Sequence, residues 1–371
     1  MNPQPSRMTL IDALKAVASQ LIVLHHLVLY GPLAIGAGLT FPDLREWLSD
    51  YGRIAVQVFL VIGGFLAARS LAPAGRGPQD NPLTLIARRY LRLAVPFVIA
   101  ISLAIICSAI ADHLMDDEAI PARASIKQWL AHALLLHGIL GVESLSAGVW
   151  YVAIDFQLYA VIAILLWLGH SAFGAIGARS LVLGLAAASL FWFNLDSSLD
   201  NWAIYFFGSY GLGAAVFWAS NGSSDKAGER RSGGNWLGIV AALTVIALLI
   251  DFRLRIGLAL GVALLLGYSQ HSQWPERWLN ARPLAFLGRI SYSVFLIHFP
   301  VLLLANGLFV FSGSASPEAA CLVLLTAWAS STLAGWMFYR WVEKPSAKLR
   351  WPTTVSRPVP RVPGNIPAPR D

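Results

Sequence analysis

Two adjacent histidines and a lysine lie within the first long apolar segment, "LKAVASQLIVLHHLVLYG", at residues 14–31. An ionisable side chain inside a bilayer is costly unless it faces a cavity or a partner, so these residues are candidates for function. Successive residues of an α-helix are about 100° apart, so Lys15 and His26 share a face and lie about 16 Å apart along the axis. His25 lies about 80° from that face. The spacing predicts one polar stripe that runs from Lys15 near one membrane surface to His26 past the middle of the bilayer.

The residue type at the end of this stripe suits proton transfer. Imidazole titrates near neutrality, and burial among apolar groups favours its neutral form, which can accept a proton. His26 is therefore a candidate general base. The alternative is a packed histidine that hydrogen-bonds to a neighbouring helix. Lys15 in register with His26, and Asp12 one turn before Lys15, favour the functional interpretation.

Arginines precede the third apolar segment, in "RRYLR" at residues 88–92. Arg89 and Arg92 are spaced i and i+3, so they share a helical face beside Arg88. Together with Lys15, such cations would suit a phosphate-bearing donor that arrives from the cytoplasm. The alternative is that these arginines are only the flanking charges that orient a membrane helix.

The composition indicates the elements that must position these residues. The chain has 371 residues, of which 57% are hydrophobic and only 13% charged, which is typical of a polytopic membrane protein. A membrane-spanning helix needs about 20 apolar residues. We predict an all-α integral membrane bundle of about ten transmembrane helices plus a short re-entrant or interfacial segment at 128–141, which holds His132 and His137. The crossings are expected at 10–30, 52–70, 92–111, 150–169, 180–195, 201–219, 236–251, 256–270, 289–311 and 319–340.

The basic residues predict the orientation. The net charge is +7, but most of the 27 lysines and arginines fall on one side when 128–141 does not cross, as the positive-inside rule requires. We therefore expect no nucleic-acid partner, and both termini in the cytoplasm. The domain organisation is a cytoplasmic segment at 1–9, one transmembrane domain at 10–345, and a Pro-rich basic tail at 346–371 that is expected to be disordered.

Six segments in a fixed order resemble the membrane acyltransferase-3 family over residues 10–346. They are "LIDALKAVASQLIVLHH", "VQVFLVIGGFLAARS", "RRYLRLAVP", "VWYVAIDFQLYAV", "ISYSVFLIHFPV" and "YRWVEKP". Three positions differ from the family pattern. Lys15 replaces an arginine, Asp155 and Phe156 replace an acidic pair, and Ala13 replaces a glycine.

The resemblance implies transfer of an acyl group, most often acetyl from acetyl-CoA, to a hydroxyl of a cell-envelope carbohydrate or glycolipid. It implies a bacterial inner-membrane enzyme that uses acyl-CoA as co-substrate and no metal. Some members modify small molecules such as antibiotics. Many members carry a fused periplasmic SGNH-type domain; we expect this chain to work alone or with a separate periplasmic partner. The implied residues are His26 and Asp155 for catalysis, Lys15, Arg88, Arg89 and Arg92 for the donor, and Trp150, Gln157, Tyr159 and His298 for the acceptor.

Other interpretations stay open for several of these residues and for the whole chain. Asp155 could be an interfacial carboxylate at a helix end, His298 an interhelical hydrogen-bonding partner, and Trp150 a member of an aromatic belt. Intramembrane charges also mark transport pathways, so a transporter of a polar or anionic solute is the alternative class. A catalytically silent structural partner is a third possibility. Binding of CoA would separate the enzyme from both alternatives.

Overall fold

A computed structural model describes residues 9–220, 233–270 and 281–349 of the chain, and these form helices and connecting turns with no strand among them. The prediction of an all-α architecture is confirmed. The predictions for residues 1–8 and for the tail from 350 onward lie outside the described residues. The main helices are α1 (Thr9–Leu29), α2 (Pro32–Thr40), α3 (Pro42–Tyr51), α4 (Val56–Leu71), α5 (Pro82–Leu114), α6 (Ile126–Ala133), α7 (Trp150–Phe191), α8 (Ala203–Ser220), α9 (Gly233–Ile250), α10 (Leu254–Ser269), α11 (Arg282–Phe311) and α12 (Pro317–Phe338).

Seven stretches of the described residues are long and apolar enough to cross a membrane. The predicted count of about ten is not confirmed. The difference arises in two regions: the predicted crossings 150–169 and 180–195 fall within the single candidate Trp150–Leu195, and the apolar helices Gly238–Ile250 and Leu254–Ser269 are shorter than the other candidates. The seven candidates are Thr9–Leu29, Pro42–Leu71, Pro82–Leu114, Trp150–Leu195, Ala203–Ser220, Arg282–Phe311 and Pro317–Ser346.

Helix α7 contains a sharp break at Phe173 and Gly174. Gly174 has φ +66°, a left-handed conformation that suits glycine because it has no side chain. The chain folds back there, since a methyl group at Gly169 would overlap the backbone of Gly177 and Ala178. A straight helix would separate residues 169 and 177 by about 12 Å. The two halves of α7 therefore run side by side, and the interruption between the two predicted crossings corresponds to this turn.

Close helix crossings at glycines hold the bundle together. At the crossing of α4 and α8, a methyl group at Gly64 would overlap the carbonyl oxygen of Tyr210, and one at Gly213 would overlap that of Val61. Small residues at such crossings let the two backbones approach closely. The resulting van der Waals contacts help to hold helices together in lipid. Helices α1 and α11 cross in the same way, where Gly288 lies against the backbone of Asp12. This crossing fixes the first helix against the helix that carries His298.

The segment that precedes α7 does not form a full crossing. Helix α6 has 8 residues, and a helix of that length is about 12 Å long, far short of the bilayer core. Ser125 caps it with a hydrogen bond from the backbone N–H of Gln128. The residues that follow, up to 149, are turns that place Ser144, Ser146 and Gly148 against a cavity at this end of the bundle.

Candidate functional site

A cavity of about 660 Å³ lies where the C-terminal end of α1 meets the N-terminal ends of α4, α7 and α10. His26 forms part of its wall, as the polar stripe on α1 predicts. The wall combines aromatic rings with hydroxyl, amide and charged groups. Its residues include His25, His26, Tyr30, Arg53, Gln57, Ser144, Ser146, Gly148, Trp150, Tyr151, Asp200, Asn201, Tyr205, Phe206, Arg255 and Phe295.

Two buried histidines from distant helices form a hydrogen-bond relay beside this cavity. Nδ1 of His298 lies 2.7 Å from the carbonyl oxygen of Phe295. Because a carbonyl oxygen only accepts, this nitrogen carries the proton, and Nε2 of a neutral His298 is left as an acceptor. Nδ1 of His26 lies 2.7 Å from that Nε2 and therefore donates to it.

The relay fixes which nitrogen of His26 is basic. With Nδ1 protonated, the lone pair of a neutral His26 lies on Nε2. No described residue forms a hydrogen bond with this nitrogen, and the ring lines the cavity. A substrate hydroxyl in the cavity can therefore meet an imidazole nitrogen that is ready to accept its proton. The alternative prediction, that His298 makes an interhelical hydrogen bond, describes the same contact, and the bond serves to orient His26.

The neighbouring histidine has a different partner. Nδ1 of His25 lies 2.8 Å from the carbonyl oxygen of Leu48, so it links α1 to α3. A methyl group at Gly52 would lie 2.7 Å from the Cβ atom of His25, so the ring is also confined by packing. His25 and His26 both line the cavity but hydrogen-bond to different elements, so different roles for the two histidines stay a prediction.

Gly148 supports the other side of His26. Its φ is +77°, and a methyl group there would lie 2.9 Å from Cε1 of His26 and 3.1 Å from Cε2 of Phe295. A side chain at this position would strain the backbone and displace the imidazole. The turn that ends at the N-terminus of α7 thus needs glycine to approach the histidine.

Asp155 and Arg89 form an ion pair in the interior, between α7 and α5. Nη2 of Arg89 lies 2.5 Å from Oδ2 of Asp155, and the guanidinium is 5.3 Å from the ring centre of Tyr159. Asp155 is one turn below Tyr151, which lines the histidine cavity. The family resemblance implied a catalytic role for Asp155 and a donor-binding role for Arg89. The structure brings these two residues to each other, so both roles stay predictions.

The remaining donor candidates, Lys15, Arg92 and Arg88, lie in two different environments. Lys15 is partly buried near Asp12 and Glu343, with Arg92 nearby and exposed. Glu343 accepts a 2.5 Å hydrogen bond from the hydroxyl of Ser293, which ties the segment Tyr339–Glu343 after α12 to α11 beside this cluster. Arg88 instead pairs with Asp80 at 3.5 Å on an exposed surface.

Two acceptor candidates have contacts that define their positions. Trp150 is about a third exposed and stacks on Phe206 with ring centres 5.6 Å apart, so it offers a flat apolar wall to the cavity. Gln157 accepts a 3.0 Å hydrogen bond from the backbone N–H of Ala203 and holds the first turn of α8. Tyr159 packs under Arg89 and away from the cavity lining.

Sequence reasoning missed several groups at the site. Arg53 and Arg255 line the cavity, yet each lies between apolar stretches where a single arginine looks like flanking charge. Glu343 belongs to the motif "YRWVEKP", so the motif was noticed but the carboxylate was given no role. Gly148 could have been found only from its backbone conformation.

A second histidine pair lies on the segment around α6. The rings of His132 and His137 are 4.1 Å apart and within 4° of parallel. Nδ1 of His132 lies 2.8 Å from the carbonyl oxygen of Gln128, and its Nε2 accepts from the backbone N–H of Leu145. Burial, and then the neighbouring His132, lower the pKa of His137 to about 3. In the part of the chain that the structure describes, no group of three or more His, Cys, Asp or Glu residues is placed to hold a metal ion.

The apolar helices indicate an integral membrane protein, and its buried histidine pair lies at a cavity. Residues 9–340 match the acyltransferase domain of the acyltransferase-3 family, so the chain belongs to this family and the resemblance seen in the sequence is confirmed. The match supports a membrane acyltransferase in general. It is also 27% identical over 183 residues to the Regulator of hypoxia-inducible factor 1 from Caenorhabditis elegans, a match that covers 46% of this chain and 36% of that relative. No solved structure shows significant similarity to the chain.

Proposed function

We propose that this protein transfers an acyl group, most simply acetyl, from cytoplasmic acyl-CoA to a hydroxyl of a cell-envelope carbohydrate or glycolipid. The observation that carries the proposal is the relay from Phe295 through His298 to His26, which leaves Nε2 of His26 as a base at the cavity. An imidazole whose acceptor nitrogen faces a cavity suits proton transfer from a bound hydroxyl, and CoA binding separates this function from transport.

The relay supports a direct transfer step. Nε2 of His26 takes the proton of the acceptor hydroxyl while the hydroxyl oxygen attacks the thioester carbonyl carbon. The new C–O bond forms, the C–S bond breaks, and CoA leaves as thiolate. The imidazolium then returns its proton to the sulfur. His298 keeps its own proton on Nδ1 throughout and stabilises the positive charge that forms on His26.

The donor is proposed to bind at the Lys15 end of the bundle. Arg92 is exposed there and Lys15 is nearby, so two cations face the side from which a CoA phosphate would come. Arg89 lies one turn from Arg92 along α5, and Asp155 lies one turn from Tyr151 along α7. The ion pair between Arg89 and Asp155 therefore lies one turn from Arg92 on α5 and one turn from the cavity-lining Tyr151 on α7. We propose that a thioester arm passes beside this pair.

The acceptor is proposed to occupy the histidine cavity. Stacked Trp150 and Phe206 provide a flat surface of the kind that supports a sugar ring. Asn201, Ser144 and Asp200 supply hydrogen-bonding groups around it. In the proposed orientation this cavity faces the outside of a bacterial inner membrane and both termini are cytoplasmic. Reporters fused at residue 225 and after residue 350 test the orientation, because both should then give a cytoplasmic signal.

The experiment for the transfer uses purified protein in lipid nanodiscs with acetyl-CoA and extracted envelope glycan. Release of free CoA thiol and acetylation of the glycan are measured together. The wild-type protein should produce both in equal amounts, and His26→Ala should produce neither. If the wild-type protein released no thiol with any acyl-CoA, the proposed donor would be wrong.

The donor site has its own matched pair of variants. Arg92→Gln should weaken CoA binding about tenfold, since a charged hydrogen bond contributes about 1.5–3 kcal/mol. Arg88→Gln on the same helix should not, because Arg88 pairs with Asp80 at the surface. Binding is measured by calorimetry with the non-acylated CoA. Equal affinities for the two variants would assign the arginines to membrane orientation alone.

A further inference from the structure

A second, apolar cavity adjoins the histidine cavity. It is a groove of about 560 Å³ between α1, α4 and α10, and its wall includes Val17, Leu21, Val58, Leu258, Val262 and Leu265. Ile54 lines both cavities. Leu254 lines the groove and the next residue, Arg255, lines the histidine cavity. The polar cavity therefore continues into an apolar one along Ile54 and the start of α10.

Two guanidinium groups lie at this boundary. Arg53 is exposed, precedes Ile54, and forms no ion pair with a described residue. The guanidinium of Arg255 is held over the ring of Tyr205 at 4.8 Å and donates to the carbonyl oxygen of Asn194. Its Nε is buried and has no hydrogen-bond partner among the described residues. The boundary therefore has two cations, Arg53 and Arg255, and one carboxylate, Asp200. Its net positive charge suits an anionic group.

The aromatic residues of α3 place this boundary at the membrane surface. Trp47 and Tyr51 both line the groove and are 50% and 48% exposed. Exposed Trp and Tyr prefer the headgroup level of a bilayer, where their rings meet both lipid and water. Arg53 follows Tyr51 by two residues. The positive boundary thus lies at the depth where a lipid carries its phosphate, and the groove continues from there along the hydrocarbon.

We propose that the acceptor is a lipid-linked sugar phosphate. Its phosphate binds between Arg53 and Arg255, its sugar faces His26, and its apolar chain lies in the groove between α1, α4 and α10. This inference rests on the proposed function, whose acceptor it specifies. A free sugar would leave both the groove and the two arginines without a partner, whereas an uncharged lipid would use only the groove.

Gly261 allows the groove to be filled without disturbing the fold. It lies on the groove wall, and a Cβ atom there would meet nothing within 4 Å. Gly184 on α7 is exposed with the same open surroundings and lines neither cavity. Gly261→Leu should block the chain, and Gly184→Leu is its matched control. The role of the positive charge is tested with Arg53→Gln, and Arg45→Gln is its control. Arg45 is an exposed arginine on α3 that lines a different cavity.

The test is photolabelling of the purified full chain in phosphatidylcholine nanodiscs with hexadecyl phosphate that carries a diazirine on its chain. Labelled peptides should come from α1, α4 or α10, and unlabelled hexadecyl phosphate should compete. Hexadecanol and inorganic phosphate should compete at least about tenfold less well, as expected for loss of one charged contact or of the apolar chain. Gly261→Leu and Arg53→Gln should each reduce labelling severalfold, and their controls should not.

Each contrary outcome has a definite meaning. Equal competition by hexadecanol would show that bulk lipid fills the groove, and equal competition by inorganic phosphate would show an anion site without a chain. Unchanged labelling of Gly261→Leu would also overturn the proposal. The labelling needs no acyl-CoA, so it is independent of the transfer. A protein that releases CoA thiol but fails the labelling would retain the proposed function and lose only this acceptor.

Discussion

Nδ1 of His26 and Nε2 of His298 are 2.7 Å apart, and the two imidazole rings lie within 9° of parallel with centres 4.9 Å apart. This separation fits rings that lie edge to edge, so the hydrogen bond runs in the plane where the ring N–H and lone pair point. The bond joins α1 to α11 across 272 residues of sequence. In the proposed mechanism, the bond makes His298 a positioning residue for the base.

The first prediction separates the two adjacent histidines. His26→Ala should lower the rate of acyl transfer about 100-fold or more, the range for loss of a general base, while CoA binding persists. His26→Asn should be nearly as inactive, since an amide cannot accept the proton. His25→Ala should retain substantial activity because His25 bonds to Leu48. Activity in His26→Ala with loss in His25→Ala would contradict the assigned register. Transfer is measured at matched protein levels.

The second prediction tests the positioning role of His298. His298→Leu should lower kcat strongly and leave KM for acyl-CoA unchanged, because Nδ1 of His26 loses its acceptor and the ring can adopt the other tautomer. His298→Gln should recover part of kcat, since its side-chain oxygen can accept the same hydrogen bond. A merely structural role would predict equal losses in the two variants at equal thermal stability. Steady-state kinetics with a free-thiol assay provides the comparison.

The helical register explains which part of this site could be predicted from the sequence. Lys15 and His26 lie on one polypeptide segment, so a fixed rotation per residue sufficed to predict that they share a face. The partner of His26 could not be obtained in that way, because no local pattern encodes a contact between residues 26 and 298. The family resemblance did place His298 at the site, but with a role toward the acceptor.

The same limit applies to Asp155 and to the number of spans. Arg89 was assigned to the donor and Asp155 to catalysis, because the sequence does not show that these opposite charges, 66 residues apart, meet each other. Apolar runs predicted where helices lie but not whether each run crosses. The turn at Gly174 is surrounded by apolar residues, and α10 has only 16 residues. Composition alone cannot decide the span count from such segments.

The third prediction concerns the buried ion pair. Asp155→Ala leaves the guanidinium of Arg89 without its partner in the interior, which should cost about 3–5 kcal/mol in the free energy of unfolding. The double change Arg89→Leu with Asp155→Leu should recover most of that loss, because no charge is then left unpaired. Unfolding in mixed micelles is followed by circular dichroism. Additive losses in the double variant would show that the two side chains do not act as a pair.

The fourth prediction uses two glycines with similar backbone conformations. Gly148 has φ +77° and Gly141 has φ +61°, so an alanine at either position should cost about 1–2 kcal/mol in backbone strain. Only at Gly148 does the added methyl group reach His26. Gly148→Ala should therefore lower kcat at least about tenfold beyond Gly141→Ala. Equal activities in the two variants would mean that His26 tolerates displacement and would weaken its assignment as the base.

The fifth prediction concerns pH and the histidine pair on the α6 segment. Burial and the neighbouring His132 lower the pKa of His137 from 6.5 to about 3 in the folded protein. Between these values the unfolded chain binds a proton that the folded protein excludes, so stability must fall as the pH decreases below 6.5. The free energy of unfolding should decline by about 1.4 kcal/mol for each pH unit. Above 6.5 both states are neutral and this contribution is constant.

Replacing His137 by phenylalanine should remove much of this dependence. The new ring can stack on His132 and Phe97, as His137 does at 4.1 and 6.3 Å, without a titratable group. His132 contributes to the slope that remains, because burial also lowers its pKa. The exposed His113 serves as the control, and His113→Phe should leave the slope unchanged. Thermal melts of the three proteins in one detergent, from neutral to mildly acidic pH, make the comparison. The same slope in His137→Phe as in the wild-type protein would assign the acid sensitivity to other groups.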